Sequence, residues 1–440
     1  MRPAALASIA SALLLGACGP SLMQVDVGAP LSDADLAMGW ARGGNRSTSD
    51  FSEQVVLRAE LDDGGNVYAK FVVSNIAGAD GRGQFSLDVK TGDGRRFEWR
   101  EKADRGDWTF DTDRLRIEIG AAIIDVGVGK AQITIDGDGA TLQLDIASGL
   151  PPLRPPGGRL EQGGLFYVTT LPIPRGSARL QLTVSDPELW LPAETVEEPA
   201  PREPAPSLET AAPSETPVAD APEIDAPENE APPDDAIEPA SDETPTADGA
   251  SEPEADAFED DGIAYVEHRW GNVPPYELAQ RWYNLRVIGT DETVVMSAFE
   301  RPLSVPDGQP RPGPETRGAM HGWMFAARDD GLVMYGADID VRPYGWSTDD
   351  VTSYHLPAII YVSDKAGREL RGVLDLGPLS QRKDDLAALK KIERIVVRRF
   401  MQPWTFGFHQ ARFLFRWQLP GETALDSRGR GRFQFQQIRE

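Results

Sequence analysis

Gly262-Ile263-Ala264-Tyr265-Val266-Glu267-His268-Arg269-Trp270-Gly271 is the stretch around which the chain is organised. It reads as one β-strand. Ile263, Tyr265, Glu267 and Arg269 alternate with Ala264, Val266, His268 and Trp270, so the two sets face opposite sides. A half-buried strand would place apolar residues on one side and solvated ones on the other. Here each side mixes apolar bulk with a titratable group. Two readings follow. Glu267 and His268 hydrogen-bond locally within a barrel strand, or the strand brings an acid, an imidazole and an indole to a pocket.

Upstream the chain is strand after strand. Val55–Leu61 stops at Asp62-Asp63-Gly64-Gly65, and Val67–Val73, Gln84–Val89, Phe97–Arg100, Leu115–Ile119, Ala131–Ile135, Thr141–Ile146 and Ala178–Val184 follow. Short alternating segments between Gly/Asp turns predict an antiparallel barrel or sandwich. No alternation of strands with long helices appears, which excludes Rossmann and TIM architectures. Gly127-Val128-Gly129 lacks the third glycine of a dinucleotide loop. Asp136-Gly137-Asp138-Gly139 is read as a hairpin turn, because a calcium loop would need a Glu where Ala147 and Ser148 stand.

The same pattern returns after residue 276, in Trp282–Val287, Thr293–Phe299, His321–Phe325, Leu332–Tyr335, Ala358–Val362, Glu369–Leu374, Phe406–Trp417 and Arg432–Ile438. One helix is predicted over 381–395, where Leu386, Leu389, Ile392 and Ile395 recur at helical spacing. Of the four histidines, His321, His355 and His409 lie here and His268 just before; none shows metal-ligand spacing, so no zinc site is expected. No P-loop or G-x-S-x-G elbow is present, and no cofactor is implied. Six of the ten tryptophans fall in 270–417, where they either fill a core or wall an apolar cavity.

Residues 193–260 are a different material, with 22 Asp/Glu against one Arg and 13 Pro in 68 positions. Such a segment buries too little apolar surface to offset its chain entropy and is expected to be disordered. It carries most of the formal charge of −26, so the acidity is local and argues against nucleic acid as a partner.

The N-terminus has the form of a signal peptide, residues 1–17: Met1-Arg2, an apolar run from Ala4 to Leu15, then Leu15-Gly16-Ala17-Cys18. Cys18 is the single cysteine, which rules out an intrachain disulfide and suits lipidation. Multiple acyl chains on Cys18 imply stable membrane anchoring. Gly19 in place of Asp resembles the sorting pattern of outer-membrane lipoproteins, which here implies a periplasm-facing envelope protein. Residues 18–44 read as a lipidated tether with one helical turn starting at Ser32.

Tyr265-x-Glu267-His268-x-Trp270-Gly271 resembles the signature of the family of carotenoid 1,2-hydratases, AttH-type secreted proteins and fungal survival-factor proteins. Pro274-Pro275, Arg281–Val287 and Gly64–Phe71 are similar in layout. The acid is Glu267 where the family has Asp, and Arg269 stands where Asn is usual. The resemblance implies an all-β fold of two tandem antiparallel lipocalin-like barrels, 45–275 and 276–440. It makes 178–184 and 263–270 neighbours, so the acidic stretch becomes an insertion within the first barrel; an interdomain linker is the alternative. That stretch is then a passive loop, a spacer or a docking arm for a protein partner. The segment 429–439 takes the place in the second barrel that 262–271 takes in the first.

Two functions remain open. One is binding or transfer of a hydrophobic lipid (ceramide-like, isoprenoid or fatty-acyl) in a barrel cavity, with Tyr265, His268, Trp270, Trp282, His321 and Trp323 as ligand contacts. The other is a hydratase of an isoprenoid C=C bond. Glu267, with its pKa raised, would protonate carbon; Trp270 or Tyr265 would stabilise the cation; and His268 would orient or activate water.

Overall fold

The computed structural model describes residues 23–24, 31–42, 45–76, 80–191, 256–273, 275–302, 316–365, 369–387, 394, 398, 403–418 and 423–438. The expected signal peptide and Cys18 lie outside these residues, as does the acidic stretch from 192 to 255.

The first sheet has fourteen strands. They are β1 (Met23–Gln24), β2 (Ser52–Leu61), β3 (Asn66–Ser74), β4 (Arg82–Lys90), β5 (Arg96–Ala103), β6 (Thr109–Phe110), β7 (Leu115–Ile119), β8 (Ala122–Gly127), β9 (Lys130–Gly137), β10 (Ala140–Ala147), β11 (Arg159–Gln162), β12 (Leu165–Val184), β13 (Trp190–Leu191) and β14 (Asp256–Gly271). Their order is β13-β5-β4-β3-β2-β14-β12-β10-β9-β8-β7-β6, with β11 on β12 and β1 on β11. All pairs are antiparallel. β2, β3 and β4 alternate strictly, and Val55, Leu57, Ala59, Val67, Phe71, Phe85 and Leu87 turn inward. Each such Leu or Phe contributes about 1.5–3 kcal/mol by leaving water. Asp138-Gly139 is the two-residue hairpin turn expected, with Gly139 at φ 85°.

The second sheet comprises β15 (Arg281–Ile288), β16 (Glu292–Glu300), β17 (Met320–Arg328), β18 (Val333–Ala337), β19 (Ile339–Tyr344), β22 (Ile359–Asp364), β23 (Leu370–Asp375), β24 (Gln381–Asp384), β25 (Trp404–Trp417) and β26 (Leu425–Gln437). β20 (Ser347–Thr348) and β21 (His355–Leu356) pair separately. The sheet curls until Ile339 of β19 packs on Gly322 of β17, where a Cβ would lie 2.9 Å from its Cγ1. The all-β, tandem-barrel class read from the sequence holds. β14 lies between β12 and β2 in the first sheet, and β26 lies between β25 and β15 in the second.

Two expectations change. The predicted helix over 381–395 begins instead as β24, whose Gln381–Asp384 pair with Gly407–Trp404. The apolar stripe starts only at Leu386, so nothing anchors a helix over 381–384, whereas a ladder satisfies the free edge of β25. Residues 388–393 and 395 lie outside the described set. The tether reading also fails over 31–42. Ser32 caps α1 (Asp33–Leu36) in a capping box with Asp35, as the sequence signals. Leu31, Leu36, Met38 and Trp40 then pack into the first core, with Trp40 against Phe51 and Trp108.

The outer faces of the two sheets meet. Arg175 of β12 is the clearest tie: its Nε donates to Asp329 Oδ1 (2.8 Å), and its Nη1 donates to Gly289 O (2.7 Å) and Thr293 Oγ1 (2.9 Å). At the distant end of β12 and β14, Arg95 pairs with the Asp256 carboxylate, and its guanidinium carbon sits 4.6 Å from the Trp190 ring centroid.

Candidate functional site

From Ala264 to Gly271, β14 is buried on both faces. That explains the mixed pattern of the sequence: each face belongs to a different core. Ala264, Val266 and Trp270 join the first barrel's interior. Tyr265 points the other way, into a cluster with Leu153, Leu171, Val295, Trp323 and Phe325 between the barrels.

Glu267 shares this interbarrel face. Its Oε1 pairs with Arg269 Nε, and its Oε2 lies 2.7 Å from Arg286 Nη2. Arg286 also donates to Leu285 O (2.8 Å) and Met296 O (2.7 Å). Burial alone would raise the carboxyl; Arg269 and Arg286 overcome it and hold Glu267 down at about 2. This corrects the raised pKa expected for an acid catalyst: the carboxyl is ionised and has no proton to give. Burial, together with the Glu267 charge, keeps the Tyr265 phenol well above its ordinary range, so Tyr265 stays neutral.

On the opposite face His268 is fully buried, and its Nε2 lies 2.6 Å from Glu53 Oε1. The Glu53 carboxylate also accepts the backbone N–H groups of Gly39 (2.8 Å) and Trp40 (2.7 Å). His268 Nδ1 is buried without a partner. Trp270 covers the imidazole at 4.5 Å between centroids, and Gly39 lies so close that a Cβ would sit 2.4 Å from Trp270 Cδ1. Glu53 was missed by sequence reasoning, although it was detectable: it occupies the inward register of Val55, Leu57 and Ala59.

The other expected contacts fall in two places. Trp323 joins Tyr265. Trp282 packs between Tyr167 (5.8 Å) and Phe299 (4.9 Å), and Phe299 stacks on His321 (5.5 Å). Burial, then the charge of Arg301, lowers the pKa of His321. These groups line the seam between the barrels, while His268 and Trp270 lie inside the first. A void of about 10 Å³ lies in the first barrel's interior, lined by residues including Val55, Leu57, Phe71, Phe85 and Val266. That void has room for one water-sized sphere. Among the described residues no group of His, Cys, Asp or Glu is arranged to hold a metal.

No family model matches the sequence, and no curated protein matches it. Among solved structures the chain is similar to a putative AttH from Nitrosomonas europaea (11% identity, 94% of this chain and 98% of that chain, TM-score 0.48). It is similar to kievitone hydratase from Nectria haematococca (8% identity, 95% and 98%, TM-score 0.45) and to CghA with Sch210972 (11% identity, 96% and 99%, TM-score 0.46). The first of these carries the AttH name, that of one of the protein types whose signature Tyr265–Gly271 resembles.

Proposed function

We propose that this protein is a lipid-anchored envelope protein that binds a hydrophobic, amphipathic molecule without transforming it. The observation that carries the reading is the aromatic seam of Tyr167, Trp282, Phe299 and His321, whose outer members Tyr167 and His321 are only partly covered. Aromatic walls of this kind give apolar contact with little ordering cost and leave a polar tip at the rim. The ionised Glu267 argues against alkene hydration, which needs a carboxylic acid to protonate carbon. Anchoring rests on the Cys18 lipobox, and on it rests the outer-membrane, periplasm-facing address.

The test is native purification of a form beginning after Cys18, followed by lipid mass spectrometry of what accompanies it. One enriched lipid class, lost in Trp282→Ala and returned unchanged after incubation, is the expected result. Absence of any enriched lipid would overturn the reading.

A second, enzymatic reading is favoured by one observation. Glu53 engages His268 Nε2 and leaves Nδ1 unpartnered, the geometry of an oriented base. Under it His268 relays the proton, giving one to carbon and taking one from the attacking water, so incubation of a copurified isoprenoid yields a species heavier by one water, and His268→Gln abolishes this.

A further inference from the structure

The interbarrel face carries more cations than it can pair. Arg58 of β2 stands directly across from Tyr68 of β3 on one side and Tyr265 of β14 on the other. On the facing sheet Arg286 and Arg432 are direct cross-strand partners on β15 and β26. Like charges in that position repel unless something neutralises them. The two rows meet: Arg432 Nε reaches Glu60 Oε1 at 3.9 Å, and Glu60 lies two residues from Arg58 on the same face of β2. Lys70 follows Tyr68 on the same face of β3.

The anions nearby are already used. Glu267 is clasped by Arg269 and Arg286. Glu60 faces Arg432 at 3.9 Å. Among the described residues no carboxylate stands at ion-pair distance from Arg58: its guanidinium carbon sits 4.5 Å from the Tyr68 ring centroid, and its Nε is shut off from solvent with no hydrogen-bond partner. A guanidinium nitrogen shut off from water and unpaired is costly, and the half-buried fork of donors matches the oxygens of a carboxylate or phosphate. The surroundings report the same excess. Burial would raise the Tyr68 phenol, yet Lys70, Arg58 and Lys383 draw it below its ordinary value.

We propose that Arg58, Arg286 and Arg432 form an anion-binding site between the barrels, walled by Tyr68 and Tyr265, that takes a carboxylate or phosphate group. The anion is either free or the head group of an amphipathic ligand. The second source rests on the binding function proposed above; the first does not.

The test uses titration calorimetry at low salt with inorganic phosphate, oleate and oleyl alcohol, on the wild type and on Arg58→Gln and Arg432→Gln. Phosphate or oleate should bind the wild type and bind each variant at least about tenfold more weakly, the scale of one lost charge-assisted hydrogen bond. In the absence of anion, Arg58→Gln should leave the melting temperature unchanged or raised, because it removes an unpaired cation; a purely structural arginine would lower it. Phosphate binding alone, lost in Arg58→Gln, supports a free-anion site and removes the amphiphile reading. Oleate binding far tighter than phosphate, with the same loss, supports a head-group site. Oleyl alcohol binding alike to wild type and variant, while phosphate and oleate show no preference for Arg58, overturns the anion site and leaves the amphiphile reading standing. No binding of either anion to the wild type overturns the site outright.

Discussion

Glu267 Oε2 of the first barrel lies 2.7 Å from Arg286 Nη2 of the second. The acid that the sequence offers for catalysis is therefore a cross-barrel ion pair, with Arg269 closing it from the strand of Glu267 itself. Both side chains are nearly out of solvent, so the pair is not a weak surface bridge.

Glu267→Gln should destabilise the protein by about 3–5 kcal/mol, because it strands Arg269 and Arg286 as buried charges. Urea unfolding followed by tryptophan fluorescence measures this. A loss below about 1 kcal/mol would show that the pair contributes little.

The same carboxyl should shape the acid limb of stability. Its folded value falls to about 2 from an ordinary 4.5, so its contribution is complete above pH 4.5 and is lost as pH drops toward 2. The integrated effect is about 3 kcal/mol. Stability curves from pH 6 to pH 2 should be steeper for the wild type than for Glu267→Gln over that window; parallel curves would contradict the assignment.

Arg175 should act as a latch between the sheets. Its guanidinium is almost fully buried and reaches Asp329, Gly289 and Thr293 across the seam. Arg175→Ala is expected to cost about 3 kcal/mol and to split thermal unfolding into two transitions in calorimetry. Arg175→Lys keeps the charge but not the fork and should restore less than half of the loss. A single transition in Arg175→Ala would mean that other contacts couple the barrels.

Glu53 should hold the 31–42 segment in place. Glu53→Ala leaves the Gly39 and Trp40 N–H groups and His268 without their acceptor, at about 1–3 kcal/mol for each orphaned group. Hydrogen exchange should accelerate at the amides of Gly39 and Trp40 while those of β9 and β10 stay protected. Unchanged exchange at Gly39 and Trp40 would refute the role.

Much of the fold was legible because half-buried strands declare themselves by alternation, and β2, β3, β4 and β10 do so residue by residue. β14 broke the rule, and its mixed faces signalled burial on both sides. Which partner each face meets was not legible. His268 finds Glu53 across 215 residues of sequence, and Glu267 finds Arg286 only once two barrels are docked. The stripe at Leu386 misled because local periodicity cannot register that β25 offers a ladder to Gln381–Asp384. The aromatics were counted correctly, but their division between a core and a seam depends on which face of each strand turns inward.

Arg95 touches Trp190, in the strand just before the acidic stretch, and Asp256, the first described residue after it. Val184 and Asp256 are moreover partners across the β12–β14 ladder. The chain's exit and re-entry are thus buttoned together, independently of what lies between. The register of β12, β14 and β5 is therefore held by contacts among described residues on both sides of the stretch, whatever its length.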